Sequence, residues 1–157
     1  MNDQKIRIVE LGPMRVACAH AFGGQPEFEA LTKLKGWARE KGYVAHPEQQ
    51  RIFGFNNLNP SPGSPNYGYE VWLTVDAEAQ AEGEIEIKDF PGGLYAAYFW
   101  DGQGDPNESI PAAWSELVKW REESPYRSAG HQWLEEHLPP AQAGQSEFTL
   151  DLYLPIA

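Results

Sequence analysis

Apolar and polar positions alternate in short runs along this chain, broken by two longer stretches with helical spacing. Ile6 to Glu10 alternates weakly and predicts a strand, Gly12-Pro13 a turn, and Met14 to Phe22 a second strand bounded by Gly23-Gly24. Pro26 to Lys41 predicts a helix. Pro26 suits its first turn, Glu27 and Glu29 suit the positive end of its dipole, and Gly42 suits the stop. Phe28, Leu31, Leu34 and Trp37 mark an apolar side. Arg51 to Asn57 and Tyr69 to Val75 predict a strand pair, separated by a proline-rich loop over Asn59 to Asn66.

The pattern then starts again. Glu84 to Asp89 predicts a strand, Pro91-Gly92-Gly93 a turn and Leu94 to Trp100 a strand. Ser109 is placed to cap a helix that runs to about Glu123 and stops at Pro125, with Trp114, Leu117, Val118 and Arg121 on one face. Gln132 to His137 is a short element without a clear type, and Phe148 to Ile156 a closing strand. At one constant offset Ile6, Ile8, Glu10, Leu11 and Ala17 match Ile85, Ile87, Asp89, Phe90 and Ala96. Tyr69 to Leu73 matches Leu150 to Leu154, and Phe53-Gly54 matches Leu134-Glu135 at that same final offset. The expected fold is therefore α+β: a duplicated strand-strand-helix-strand-strand unit with pseudo-two-fold symmetry. It would carry an antiparallel sheet, two main helices and a cleft between the halves, within one domain over 1–157 whose repeats span about 5–76 and 84–157.

Composition narrows the partners. A formal net charge of -11 repels a phosphate backbone, which argues against direct nucleic-acid binding. The same charge either draws cationic small molecules or a basic protein, or only keeps the chain soluble. Aromatic residues make up 13% of the chain, with six tryptophans, a large flat apolar surface for its size. Cys18 is the sole cysteine, so no internal disulfide can form, and its apolar stretch suits an inert core position. No apolar run reaches the roughly 20 residues that span a bilayer. Met1 to Lys5 lacks an apolar signal region, so a cytoplasmic, non-membrane location is expected, and Asn107-Glu108-Ser109 reads as a chance glycosylation match.

Strand parity locates the candidate chemistry. Tyr69, Val71, Leu73 and Val75 point one way, and Glu70, Trp72 and Thr74 the other. In the second copy Leu150, Leu152 and Leu154 oppose Asp151 and Tyr153. Each copy thus sets an acid beside a large aromatic, the combination that an organic cation needs; the alternative is an outer face in water. Glu135, beside Trp133 and Leu134, is the other candidate acid, either held among apolar groups or on a solvated turn. His131, His137 and Glu135 lack a zinc spacing, Cys18 and His20 are too little for a nucleophile–base pair, and no phosphate-cradling motif occurs. No metal and no cofactor are expected.

Across nearly the whole chain these residues resemble the GyrI-like small-molecule-binding domain family, also called effector-binding or SOUL-type domains. The stretches that carry the resemblance are Glu10 to Ala17, Tyr69-Glu70-Val71-Trp72, Phe90 to Ala96, Ala113-Trp114 with Leu117 and Trp120, and Asp151 to Ile156. The resemblance implies a ligand groove between duplicated halves. It also implies an acid facing cationic aromatic ligands in a Phe-Glu-x-Tyr-like segment, here Leu134-Glu135-Glu136-His137, and a second acid at Glu70 beside Trp72. With no DNA-binding region flanking it, the chain is expected to stand alone rather than act as a transcription activator. The resulting expectation is a binding protein for hydrophobic, cationic aromatic compounds, with a detoxifying or regulatory role. Phe55, Trp72, Tyr95, Trp100, Trp133 and Tyr153 would stack on the ligand, and Glu70 and Glu135 would supply charge. The resemblance leaves two alternatives: a hydrolase of reactive electrophiles in the same cleft, and an interaction module for a protein such as DNA gyrase or a regulator.

Overall fold

The computed structural model describes residues 6–41, 51–56, 66–102, 105–138 and 149–157. The proline-rich loop expected over Asn59 to Asn66 lies outside these residues except at Asn66, as do Asn57 and Phe148. The described elements run in the order strand-strand-helix-strand-strand, twice. The first series is β1 (Ile6–Leu11), β2 (Met14–Gly23), α1 (Pro26–Lys41), β3 (Ile52–Asn56) and β4 (Tyr67–Thr74). The second is β5 (Glu86–Phe90), β6 (Gly93–Trp100), α2 (Pro106–Glu123), β7 (Leu134–Leu138) and β8 (Thr149–Pro155). The α+β class and the duplicated order expected from the sequence are thus present.

Three local differences have physical causes. The untyped segment at Gln132 to His137 is completed by a strand, β7, which pairs with β8 from Leu134↔Tyr153 to Leu138↔Thr149. Helix α2 begins at Pro106, one turn before Ser109. Proline suits the first helical position because its missing N–H would have no partner there. The Asp105 carbonyl accepts the N–H groups of Glu108 and Ser109 at 2.9 and 2.8 Å. Ser109 Oγ donates to that carbonyl at 2.9 Å instead of capping. On α1, Phe28 is exposed, and the buried stripe is Pro26, Ala30, Leu34, Trp37 and Ala38.

The chain divides into two compact units, Pro13–Pro91 and Met1–Gly12 with Gly92–Ala157. Neither is a linear repeat. In the unit of 13–91 the strand order is β3-β4-β2-β5, and in the other it is β7-β8-β6-β1, with every pairing antiparallel. The repeats have therefore exchanged their first strands: β1 pairs with β6, and β5 pairs with β2.

Each unit buries one sheet face under its helix. In 13–91 Ala17, Ala19 and Ala21 of β2 and Tyr69, Val71 and Leu73 of β4 pack with Ala30, Leu34 and Trp37 of α1. The alanines let the helix approach closely. In the other unit Ala96, Tyr98 and Trp100 of β6 and Leu150, Leu152 and Leu154 of β8 pack with Ala113 and Leu117 of α2. The parity expected for β4 and β8 holds, and it leaves Glu70 with Trp72, and Asp151 with Tyr153, on the faces away from the helices.

Gly54 of β3 lies opposite Val71, and a Cβ there would run into the Tyr69 ring. Gly12 has open space around its missing side chain. Overpacking a filled core costs about 1–3 kcal/mol. Gly54→Ala is accordingly expected to lower the unfolding free energy by that amount in urea titrations, while Gly12→Ala stays within about 0.5 kcal/mol of the parent.

Candidate functional site

The helix-free face of the 13–91 unit is set by register. Cys18 pairs with Trp72 and His20 with Glu70 across β2 and β4; Phe53 and Phe55 stand opposite Trp72 and Glu70 on β3. On the other side of β2, Lys88 stands opposite Val16 and Phe90 opposite Met14. Glu70 is only 4% exposed. An ionised carboxylate so far from water costs several kcal/mol unless it is paired and hydrogen-bonded. Two donors meet its Oε2: the indole Nε1 of Trp72 at 2.7 Å and the ammonium of Lys88 at 2.8 Å. Phe55 meets the Trp72 ring edge-on with centroids 5.1 Å apart, and Phe90 tilts against it at 5.4 Å. The face is thus a buried carboxylate set against three aromatic rings.

Charge fixes the protonation of its neighbours. Burial alone would lower the Lys88 pKa, but its hydrogen bond to Glu70 and that group's charge outweigh burial and raise it. Burial pushes the Cys18 thiol up to about 12, with Lys88 opposing and Glu70 and Glu86 reinforcing the rise. Cys18 therefore remains a thiol at neutral pH, the form that does not attack electrophiles.

The helix-free face of the other unit follows the same wiring with different side chains. Tyr153 stands opposite Ala97 and Leu134, and Asp151 opposite Phe99 and Glu136. Glu136, 7% exposed, accepts the Tyr153 hydroxyl at 2.7 Å. Tyr95 meets Tyr153 edge-on at 5.6 Å and His131 at 4.8 Å, and its hydroxyl donates to the Gln132 carbonyl at 2.5 Å. Arg7 of β1 pairs with Asp151 at 3.1 Å, as Lys88 of β5 pairs with Glu70. In both units the exchanged strand brings the cation to the acid of the closing strand.

The residues singled out from sequence fall into three places. Glu70, Trp72 and Phe55 converge on the face of 13–91, and Tyr95 and Tyr153 on that of the second unit. Glu135 lies on the α2 side, in register with the core residue Leu152. Trp114 Nε1 donates to it at 3.4 Å, and the half-exposed Trp133 packs against Trp114 at 5.3 Å. Trp100 is core beneath α2, its Nε1 donating to Ser109 Oγ at 3.0 Å. The reading of the sequence missed Lys88, Phe90 and Glu136. Parity along β7 would have exposed Glu136, since Glu135 and Glu136 must face opposite ways in a strand. Lys88 carried no comparable signal, because its role depends on which strand lies beside β2.

The profile of a family described as integron-associated effector binding protein, Cass2, matches residues 7–156. The chain belongs to that family. Its fold is that of the EcmrR C-terminal domain, with a TM-score of 0.69 at 16% identity over 97% of this chain and 96% of that one. A hydrolase from Listeria innocua is similar at a TM-score of 0.67 and 11% identity, over 98% and 92% of the two chains. SAV2435 bound to tetraphenylphosphonium aligns at 0.55 and 9%, over 97% and 93%. At such identities the likeness is one of fold, the GyrI-like effector-binding fold that the sequence resembles. A comparison with curated proteins finds no match. Family membership makes small-molecule binding the coarse activity of this chain. Among the described residues no group of three His, Cys, Asp or Glu is placed to hold a metal ion, and no helix is long and apolar enough to cross a membrane.

Several groups on these units hold their protons more tightly in the folded chain. Cys18 rises from 9.0 to about 12 and Lys88 rises above 10.5. Burial raises Tyr95 above 10.0, and burial with the charge of Glu116 raises Tyr98. A raised folded pKa stabilises the fold fully below the unfolded pKa, and that contribution is lost as pH climbs through the folded one. The urea midpoint is therefore expected to fall between about pH 9 and 12. Tyr95→Phe should flatten the upper part of that fall, as measured by fluorescence-monitored urea titrations at each pH.

Proposed function

We propose that this protein binds hydrophobic organic cations with aromatic character on the helix-free face of the 13–91 unit. Glu70 supplies the charge there, and Trp72, Phe55 and Phe90 supply the π surface. The observation that carries the reading is the near-complete burial of the Glu70 carboxylate against the Trp72 ring. A cation with little hydration sheds water cheaply and gains from a fixed carboxylate in a low-dielectric setting and from the faces of the rings. The net charge of -11 favours the approach of cations over that of anions. The tetraphenylphosphonium held by SAV2435 is a compound of this class. A detoxifying or regulatory sink for such compounds is the role that fits, in the cytoplasm.

Hydrolysis of electrophiles is the weaker reading. Cys18 stays protonated, and Glu70 Oε2 already accepts hydrogen bonds from two donors. One of them would have to give way before that oxygen took a proton from water.

Titrating tetraphenylphosphonium or rhodamine 6G against intrinsic tryptophan fluorescence tests the proposal. Saturable quenching is expected, weakened by Glu70→Gln about tenfold or more, equivalent to ~1.4 kcal/mol. Glu135→Gln, on the α2 side, should leave the affinity within about twofold, a change under ~0.5 kcal/mol. Absence of saturable quenching, or a Glu70→Gln protein that binds like the parent, would sink the reading.

A further inference from the structure

The carboxylate proposed to receive a cation already holds one. Lys88 Nζ lies 2.8 Å from Glu70 Oε2, and the two side chains differ sharply in exposure, 43% for Lys88 against 6% for Glu70. The pair is therefore lopsided. If it opens, the lysine ammonium regains water on its open side, whereas Glu70 stays buried and still needs a positive partner. Trp72 Nε1 keeps its own bond to Oε2 from the same strand, so the acid is held in place without Lys88. An incoming cation thus exchanges with Lys88 rather than adding to it.

Resting on the binding reading above, we infer that Lys88 is an internal competitor: its ammonium occupies the position that the cationic group of a ligand takes, and so decides which cations enter. The tether gives Lys88 the advantage of an intramolecular partner, whereas a free ligand must overcome the entropy of association. A ligand carrying a primary ammonium offers Glu70 nothing that Lys88 does not. Entry is restricted to cations that add what lysine lacks, a weakly hydrated charge spread over apolar or aromatic groups able to contact Trp72, Phe55 and Phe90. Quaternary ammonium, phosphonium and delocalised aromatic cations meet that condition. Neutral aromatics and anions leave the pair closed.

Tetraphenylphosphonium titrations of the parent, Lys88→Met, Lys88→Arg and Glu70→Gln proteins test this. Lys88→Met should bind about tenfold more tightly than the parent, for removal of a tethered competitor. Lys88→Arg, which keeps the charge and can grip the carboxylate through two hydrogen bonds, should bind no more tightly than the parent. Lys88→Met should also admit small primary amines that the parent excludes. Saturable parent binding that Glu70→Gln weakens, combined with unchanged or weaker binding by Lys88→Met, overturns the competitor role and leaves the binding reading standing. No saturable binding by any variant overturns the binding reading itself. A wild-type measurement covers the case of a Lys88→Met protein that does not fold. Acetylation of Lys88, followed by peptide mass spectrometry relative to Lys33 and Lys41, should rise severalfold on saturation with tetraphenylphosphonium. Acetylation that is unchanged or reduced counts against exchange.

Discussion

Burying a carboxylate is the demand around which the 13–91 unit is arranged. Glu70 sits on a strand whose other face is the core beneath α1, and on its own face it is only 4% exposed. It must be met where it stands. Trp72, two residues along the same strand, supplies one donor, because side chains at that spacing share a face. Lys88 supplies the second, and with it the charge that makes burial tolerable. Each donor offsets part of the cost of burying the oxygen that they share.

Lys88 can reach Glu70 only because the repeats have exchanged their first strands. Were each linear repeat to fold on its own, β5 would lie with β6 and β1 would take its place beside β2, with Val9 at the position of Lys88. The exchange works in both directions, since β1 carries Arg7 to Asp151 as β5 carries Lys88 to Glu70. One wiring thus serves two acids, and each repeat depends on the other for its counter-ion. This is a physical reason for the two copies to persist together in one chain.

The two faces have diverged within that wiring. Where the first unit places Trp72 and Phe55, the second places Tyr153 and Glu136 at the matching strand positions. The first face buries one acid, Glu70, against apolar rings and leaves Glu86 exposed on β5. The second holds two acids and satisfies one through a tyrosine hydroxyl at 2.7 Å. An apolar cation is better matched to the first, since the second presents hydroxyls and a second charge whose own partners would have to be given up. Tyr95 and Tyr153, expected from the sequence to stack on a ligand, donate their hydroxyls to Gln132 and Glu136.

Much of this was legible in the residue pattern. Alternation along β4 and β8 determined which residues face the helices, because a strand has only two sides and the apolar set must be buried. Recurrence of that alternation at constant offsets determined the duplicated order, and the pairing of Glu70 with Trp72 followed from their spacing alone. The pattern did not reveal that β7 is a strand, and so did not tell which sides of the sheet Glu135 and Glu136 face, although one step along a strand reverses the direction of a side chain. It placed Phe28 on the buried side of α1, where the small Ala30 packs instead against the alanines of β2. What only the tertiary structure decided is which strand lies beside which. That choice is made by pairing between segments far apart in sequence, which no local periodicity encodes, and it brings Lys88 to Glu70.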